Sequence, residues 1–194
     1  MSSVPLPSPT LPFSPAEPVA PRRPEPISPR IDDPMALLRA CHEKVVRFTT
    51  LAQRLQAHVG QQGVDEQARE AAQAVLRYFT LAAPLHHADE DDNLFVALRG
   101  LNRSTLTARI DALQAEHDAL GQRWTEVQPW LEAVAAGHSP GGVEPDVDGF
   151  AKSYRKHAQA EETEVYPHAA ELSEATLRAL ADAMVARRQP KAAR

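Results

Sequence analysis

The sequence predicts an all-α protein: an antiparallel up-down four-helix bundle, with a short extra C-terminal helix and a disordered Pro-rich N-terminal tail. Three observations predict it. Four long stretches place apolar residues three and four apart, the spacing that lines one face of a helix. Short segments holding Gly, Asn or Pro separate these stretches, which favours antiparallel neighbours. Nothing alternates with period two over a useful length, so no sheet is expected.

Residues 1–33 are expected to be the tail. Eleven of the 17 prolines fall within residues 1–34. Pro5, Pro7, Pro9, Pro12, Pro15, Pro18 and Pro21 remove backbone donors and force extended geometry, and few apolar side chains remain to pack. Such a tail serves as a spacer, or as a ligand for a protein partner with an SH3-like module. Residues 34–170 are expected to hold the bundle. Asp33-Pro34 reads as a cap followed by the first helical position. The stripe Leu38, Val45, Ala52, Leu55 and Val59 follows, and Gly60 and Gly63 end it. A second helix starts near Asp65, carries Ala68, Ala72, Val75, Phe79 and Ala82, kinks or restarts at Pro84, and continues to about Leu98. Gly100 and Asn102 break the chain. The third helix has Leu106, Ile110 and Leu113, then Leu120, Trp124, Val127, Leu131 and Val134, a bundle seam whose last part Pro129 is expected to bend. After a Gly/Pro loop from Gly137 to Pro145, a fourth helix starts near Asp146 with Val147, Phe150, Tyr154 and Val165. Residues 171–194 add a helix capped by Ser173 and carrying Leu177, Leu180 and Met184.

Composition narrows the function classes. Hydrophobic residues make up 43% of the 194, enough for a sizeable core. The net charge of -5, with acids and bases interspersed, argues against nucleic acid as a partner. No apolar run approaches the roughly 20 residues of a membrane span, and the N-terminus lacks the apolar stretch of a secretory signal. The lone Cys41 allows no intrachain disulfide, which suits a reducing compartment. The expectation is a cytoplasmic chain with no membrane partner.

The chemistry lies in what interrupts the apolar stripes. His42 falls between Leu38 and Val45, and His117 between Leu113 and Leu120. The stripe Val75-Phe79-Ala82 runs into His86 and Glu90, and Phe150-Tyr154 runs into His157 and Glu161. Residues i and i+4 share a helix face, so each His–Glu pair points at one place. One inward histidine alone is usually a satisfied core residue, and one His-x-x-x-Glu pair is weak. Four inward histidines, one per helix, with two inward carboxylates are different, because an unpaired buried carboxylate costs several kcal/mol. A bound cation removes that cost for all six.

The second and fourth helices repeat each other. His86-His-Ala-Asp-Glu90-Asp-Asp-Asn-Leu94-Phe95 aligns with His157-Ala-Gln-Ala-Glu161-Glu-Thr-Glu-Val165-Tyr166. The repeat suggests a pseudo-symmetric two-metal site. It also selects His86 over His87, whose own pair with Asp91 points about 100° away with no apolar stripe leading to it. The order His…His-x-x-x-Glu…His…His-x-x-x-Glu resembles the hemerythrin-like family, also called the HHE cation-binding domain, over about residues 34–170. The resemblance implies an up-down-up-down bundle and a pair of non-haem iron ions, an oxo-bridged di-iron centre. Glu90 and Glu161 would bridge the metals, with His42 and His86 on one iron and His117 and His157 on the other. Histidine and carboxylate also suit Mn or Zn, so iron comes from the resemblance.

One departure shapes the expected function. Oxygen-carrying hemerythrins have a further histidine one turn before the third-helix ligand, and that place is Leu113 here. With four histidines the site is more open than an oxygen carrier's. The resulting reading is a di-iron protein that reacts with O2, peroxide or nitric oxide. The alternatives are a non-enzymatic oxygen or iron sensor, an iron donor for the repair of iron centres, and a polar core without metal. Among the remaining candidates, Cys41 reads as a small buried residue, and His58 and His138 as solvent-facing. His168 lies about 16 Å along the helix from His157, too far to share its site. Tyr154 and Tyr166 read as packing, with contacts to the metal ligands or radical quenching as the functional option. Asp89 to Asp92 read as a solvated face or an iron-loading run, and Trp124 and Trp130 as core and core edge.

Overall fold

The structure, a computed structural model, describes residues 33–189. The Pro-rich tail, its partner and its order fall almost wholly outside the described residues. Helix α1 (Pro34–Gln62) begins where the Asp33 carboxylate accepts from the Met35 and Ala36 amides, with Pro34 at the first helical position. It runs through Gly60 and stops at Gly63, whose φ of 81° an L side chain rarely adopts.

The second bundle helix spans 66–99 in five consecutive pieces: α2 (Glu66–Arg77), a π turn (Tyr78–Ala82), α3 (Ala83–Asp89), a second π turn (Glu90–Leu94) and α4 (Phe95–Arg99). The Asp65 carboxylate caps its start. The first π turn lies just before Pro84, which lacks the N–H needed to continue an α-helical ladder. Instead the Ala83 amide bonds five residues back, to the Tyr78 carbonyl. Asn102, at φ 56°, turns the chain into α5 (Ser104–Ala135), which continues through Pro129. Helix α6 (Val147–Ala160), capped by Asp146, leads into a third π turn (Glu161–Val165), a 3₁₀ turn (Tyr166–Glu171) and α7 (Glu174–Arg188). Ser173 caps α7 through the Thr176 amide. The described residues contain no strand.

Helix α1 packs on α2 and α6, and α5 packs on the same two, so the four long helices close a square bundle. The core has two apolar lobes. One holds Val45, Leu55, Val75, Phe79, Leu131 and Phe150. The other holds Leu38, Leu94, Phe95, Ile110, Leu113 and Val165, together with Leu180 and Met184 from α7. Trp130 is buried and Trp124 half-buried, the reverse of the sequence expectation, because the chain after Pro129 stays on the bundle and seals it. Among the described residues no helix is long and apolar enough to cross a membrane. Cys41 is a buried free thiol, and burial pushes its pKa up.

Candidate metal centre

Eight polar side chains are buried among the described residues, and six of them converge: His42, His86, Glu90, His117, His157 and Glu161. Helix α1 supplies His42, the second bundle helix His86 and Glu90, α5 His117, and the fourth helix His157 and Glu161. Both carboxylates open a π turn. The Phe95 amide bonds the Glu90 carbonyl, and the Tyr166 amide bonds the Glu161 carbonyl. The sequence repeat is thus a structural repeat, and each extra residue re-aims the chain beyond its carboxylate.

Donor atoms fall into two groups, each within 4.8 Å: one from His42, His86, Glu90 and Glu161, the other from His117, His157 and Glu161. Each carboxylate faces both sides. Glu161 Oε2 is 3.2 Å from His42 Nε2, while its Oε1 is 3.1 Å from His157 Nε2 and 3.6 Å from His117 Nε2. Glu90 Oε2 is 3.5 Å from His86 Nε2 and 3.6 Å from His117 Nε2.

Three of the histidines are held from behind. Nδ1 of His42 is 2.8 Å from Glu162, that of His157 3.1 Å from Glu116, and that of His117 3.1 Å from both oxygens of Asp91. A carboxylate at Nδ1 fixes the proton there and leaves the Nε2 lone pair facing inward. Those lone pairs meet carboxylate oxygens, also acceptors. The result is a set of buried atoms with no hydrogen-bond partner: Glu90 Oε2, Glu161 Oε1 and Oε2, His117 Nε2 and His157 Nε2. Acceptors facing acceptors repel, and a cation among them turns each repulsion into a bond. The donor set of imidazole and carboxylate fits Fe, Mn or Zn.

Without a cation, these groups can meet only by taking up extra protons. Burial and the nearby Glu161 push Glu90 well above the usual carboxylate range. Burial pushes Glu161 the same way, but the imidazoles of His117, His157 and His42 outweigh it and hold Glu161 well below that range. Two carboxylates this close do not both ionise without added positive charge. Burial also depresses His86 well below its ordinary value. It opposes charge on His117 too, yet Asp91 and Glu161 raise that ring to about 9.

Two sequence expectations need correction. His87 does not turn away from the site. Its ring stacks on His117 with centroids 4.1 Å apart and planes 9° apart, and burial lowers its pKa to about 3. A rotation of 100° from His86 faces α5, against which the second helix packs, and not solvent. The run Asp89 to Asp92 is not a uniformly solvated face. Asp89 is fully buried, its oxygens taken by Arg187 at 2.9 Å and Arg188 at 2.6 Å. Asp91 holds His117, and only Asp92 is exposed, near Arg187. Other outlying residues lie away from the centre: His138 is exposed, His58 pairs with Asp65, and His168 pairs with Glu171.

Sequence reasoning missed Asp91, Glu116 and Glu162 as supports. Each directly adjoins a converging residue in the chain, and that adjacency was the available signal.

The comparisons with known proteins point the same way. The family model of the hemerythrin HHE cation binding domain matches residues 33–169. An uncharacterized protein of Haemophilus influenzae is 30% identical over 131 residues, covering 68% of this chain and 76% of the relative. With the match extending over all four bundle helices, the chain belongs to the hemerythrin HHE cation-binding domain family.

Proposed function

We propose that this chain is a non-haem di-iron protein, held in the cytoplasm, that reacts with O2, hydrogen peroxide or nitric oxide. His42, His86, Glu90, His117, His157 and Glu161 would hold the ions, and the carboxylates of Glu90 and Glu161 each reach histidines of both donor groups. One observation carries the reading: five buried atoms face one another without hydrogen-bond partners, three of them oxygens of Glu90 and Glu161 and two of them Nε2 of His117 and His157, rings already held from behind by carboxylates. When bound, the iron pair supplies redox chemistry and open positions for a small ligand.

The chain's own residues set how open the site is. Each side offers two imidazoles and carboxylate oxygens, fewer donors than the six an octahedral ion would take, so a bound ion would keep room for a small ligand. Leu113, fully buried, lies one turn before His117 and offers hydrocarbon where a fifth imidazole would close one of them. Phe95 and His87 flank His117 with parallel rings, which limits water on that side.

Reactivity follows from that openness. The reduced, iron-loaded protein mixed with O2 in a stopped-flow spectrometer is expected to oxidise within the experiment. Its reduced spectrum is not expected to return when the gas is removed. Full return over repeated cycles would mark a reversible oxygen binder and overturn the redox reading.

A further inference from the structure

Tyr166 stands out among the side chains around the centre. It is 1% exposed, and its ring lies parallel to that of His42 with centroids 5.3 Å apart. Its hydroxyl donates to Glu90 Oε1 and sits 3.3 Å from His42 Nε2. The phenol oxygen therefore touches donor atoms of two ligands in the first group.

Its spacing matches that of a ligand. Donor atoms bound at right angles to one ion, with bonds of about 2.1 Å, lie about 3 Å apart. His42 Nε2 and Glu161 Oε2 are 3.2 Å apart, and the phenol oxygen stands at nearly the same distance from His42 Nε2. The backbone places it there, because the π turn that begins at Glu161 closes on the Tyr166 amide. The equivalent residue in the other copy is Phe95, which has no donor and lies beside His117. The two halves of the pseudo-symmetric site therefore differ by one phenol oxygen.

We infer that Tyr166 is a phenolate ligand of the metal ion held by His42, His86, Glu90 and Glu161. This rests on the proposed metal site. On binding, the phenol O–H bond breaks, its proton leaves to solvent, and an oxygen lone pair forms the bond to the metal. No electrons are transferred. Glu90 Oε1 loses its hydrogen bond and becomes free for the metal. The first ion thereby gains a harder, anionic donor that the second lacks, so the two ions are inequivalent.

The test uses the full chain loaded with Fe(II) and oxidised in air, with iron content measured first. A phenolate on Fe(III) gives a charge-transfer band in the visible and resonance-enhanced ring vibrations, whereas imidazole and carboxylate alone do not. The expected result is such a band, with vibrations that shift when the chain is made with ring-deuterated tyrosine, so the unmutated protein already decides. Tyr166→Phe is expected to abolish the band while retaining two irons per chain. Tyr154→Phe is expected to leave it unchanged. Two bound irons without resonance-enhanced tyrosine ring vibrations, or such vibrations that survive in Tyr166→Phe, overturn the inference and leave the metal site standing. Failure to bind iron overturns the site reading, and the inference with it.

Discussion

Glu161→Gln is expected to empty both metal positions, a loss from about two ions per chain to well below one. The substitution keeps the side chain's volume and removes its charge, so the effect reads ligation and not packing. Glu161 is decisive because it is the residue common to both donor groups. Its Oε2 faces His42 and its Oε1 faces His117 and His157. The amide that replaces it would direct an NH2 at one side, where a donor hydrogen competes with the ion. Glu162→Gln provides the contrast. Glu162 touches only His42 Nδ1, on the far side of the ring from the centre. Losing such an outer carboxylate typically weakens affinity about 10- to 100-fold, so two ions should still bind when metal is in excess. Elemental analysis of both variants, after equal exposure to a weak chelator, distinguishes the two outcomes. Equal metal loss in both would mean that Glu161 does not join the two positions.

Replacing Arg187 and Arg188 together by Ala is expected to destabilise the fold by about 3–5 kcal/mol, because it leaves Asp89 as a buried charge without a partner. Asp89 is fully buried, and the two guanidinium groups hold one oxygen each. Arg187 also reaches Asp92 and Asn93, so it ties α7 to the π turn that begins at Glu90. Adding Asp89→Leu to the double variant removes the stranded charge and should restore much of the loss. Urea unfolding of the unmutated chain, the double variant, the triple variant and Asp89→Leu alone measures this. A triple variant as unstable as the double would show that the loss comes from α7 packing, through Leu180 and Met184, and not from the buried carboxylate.

The contrast between these two regions explains what the sequence made legible. His42 and His117 were readable because each fills one gap in an otherwise apolar stripe, and a gap in a period of three and four needs no tertiary information. The pairs His86/Glu90 and His157/Glu161 were readable because i and i+4 lie on one face. Asp89 was not, since its partners lie about a hundred residues away on α7, and no local pattern reports them. His87 was misplaced for a related reason: a helix inside a square bundle has neighbours on two sides, and the periodicity of one helix does not say which. Tyr166 hid behind the π turn. An α-helical count puts the fifth residue after Glu161 about 140° round the helix, away from the centre. The turn of wider pitch brings it back. The alignment of Phe95 with Tyr166 in the repeat held the clue, but their common place beyond the carboxylate became clear only with the backbone.

If the six converging side chains hold two metal ions, the purified protein carries them. Elemental analysis of the freshly purified full chain, paired with an absorption spectrum in air and after reduction, tests it most directly. The expected result is about two irons per chain, with near-ultraviolet absorption in air that is lost on reduction. A folded protein that carries no metal and takes up none when iron is supplied would contradict it, and would mean that the six residues form a polar core of their own.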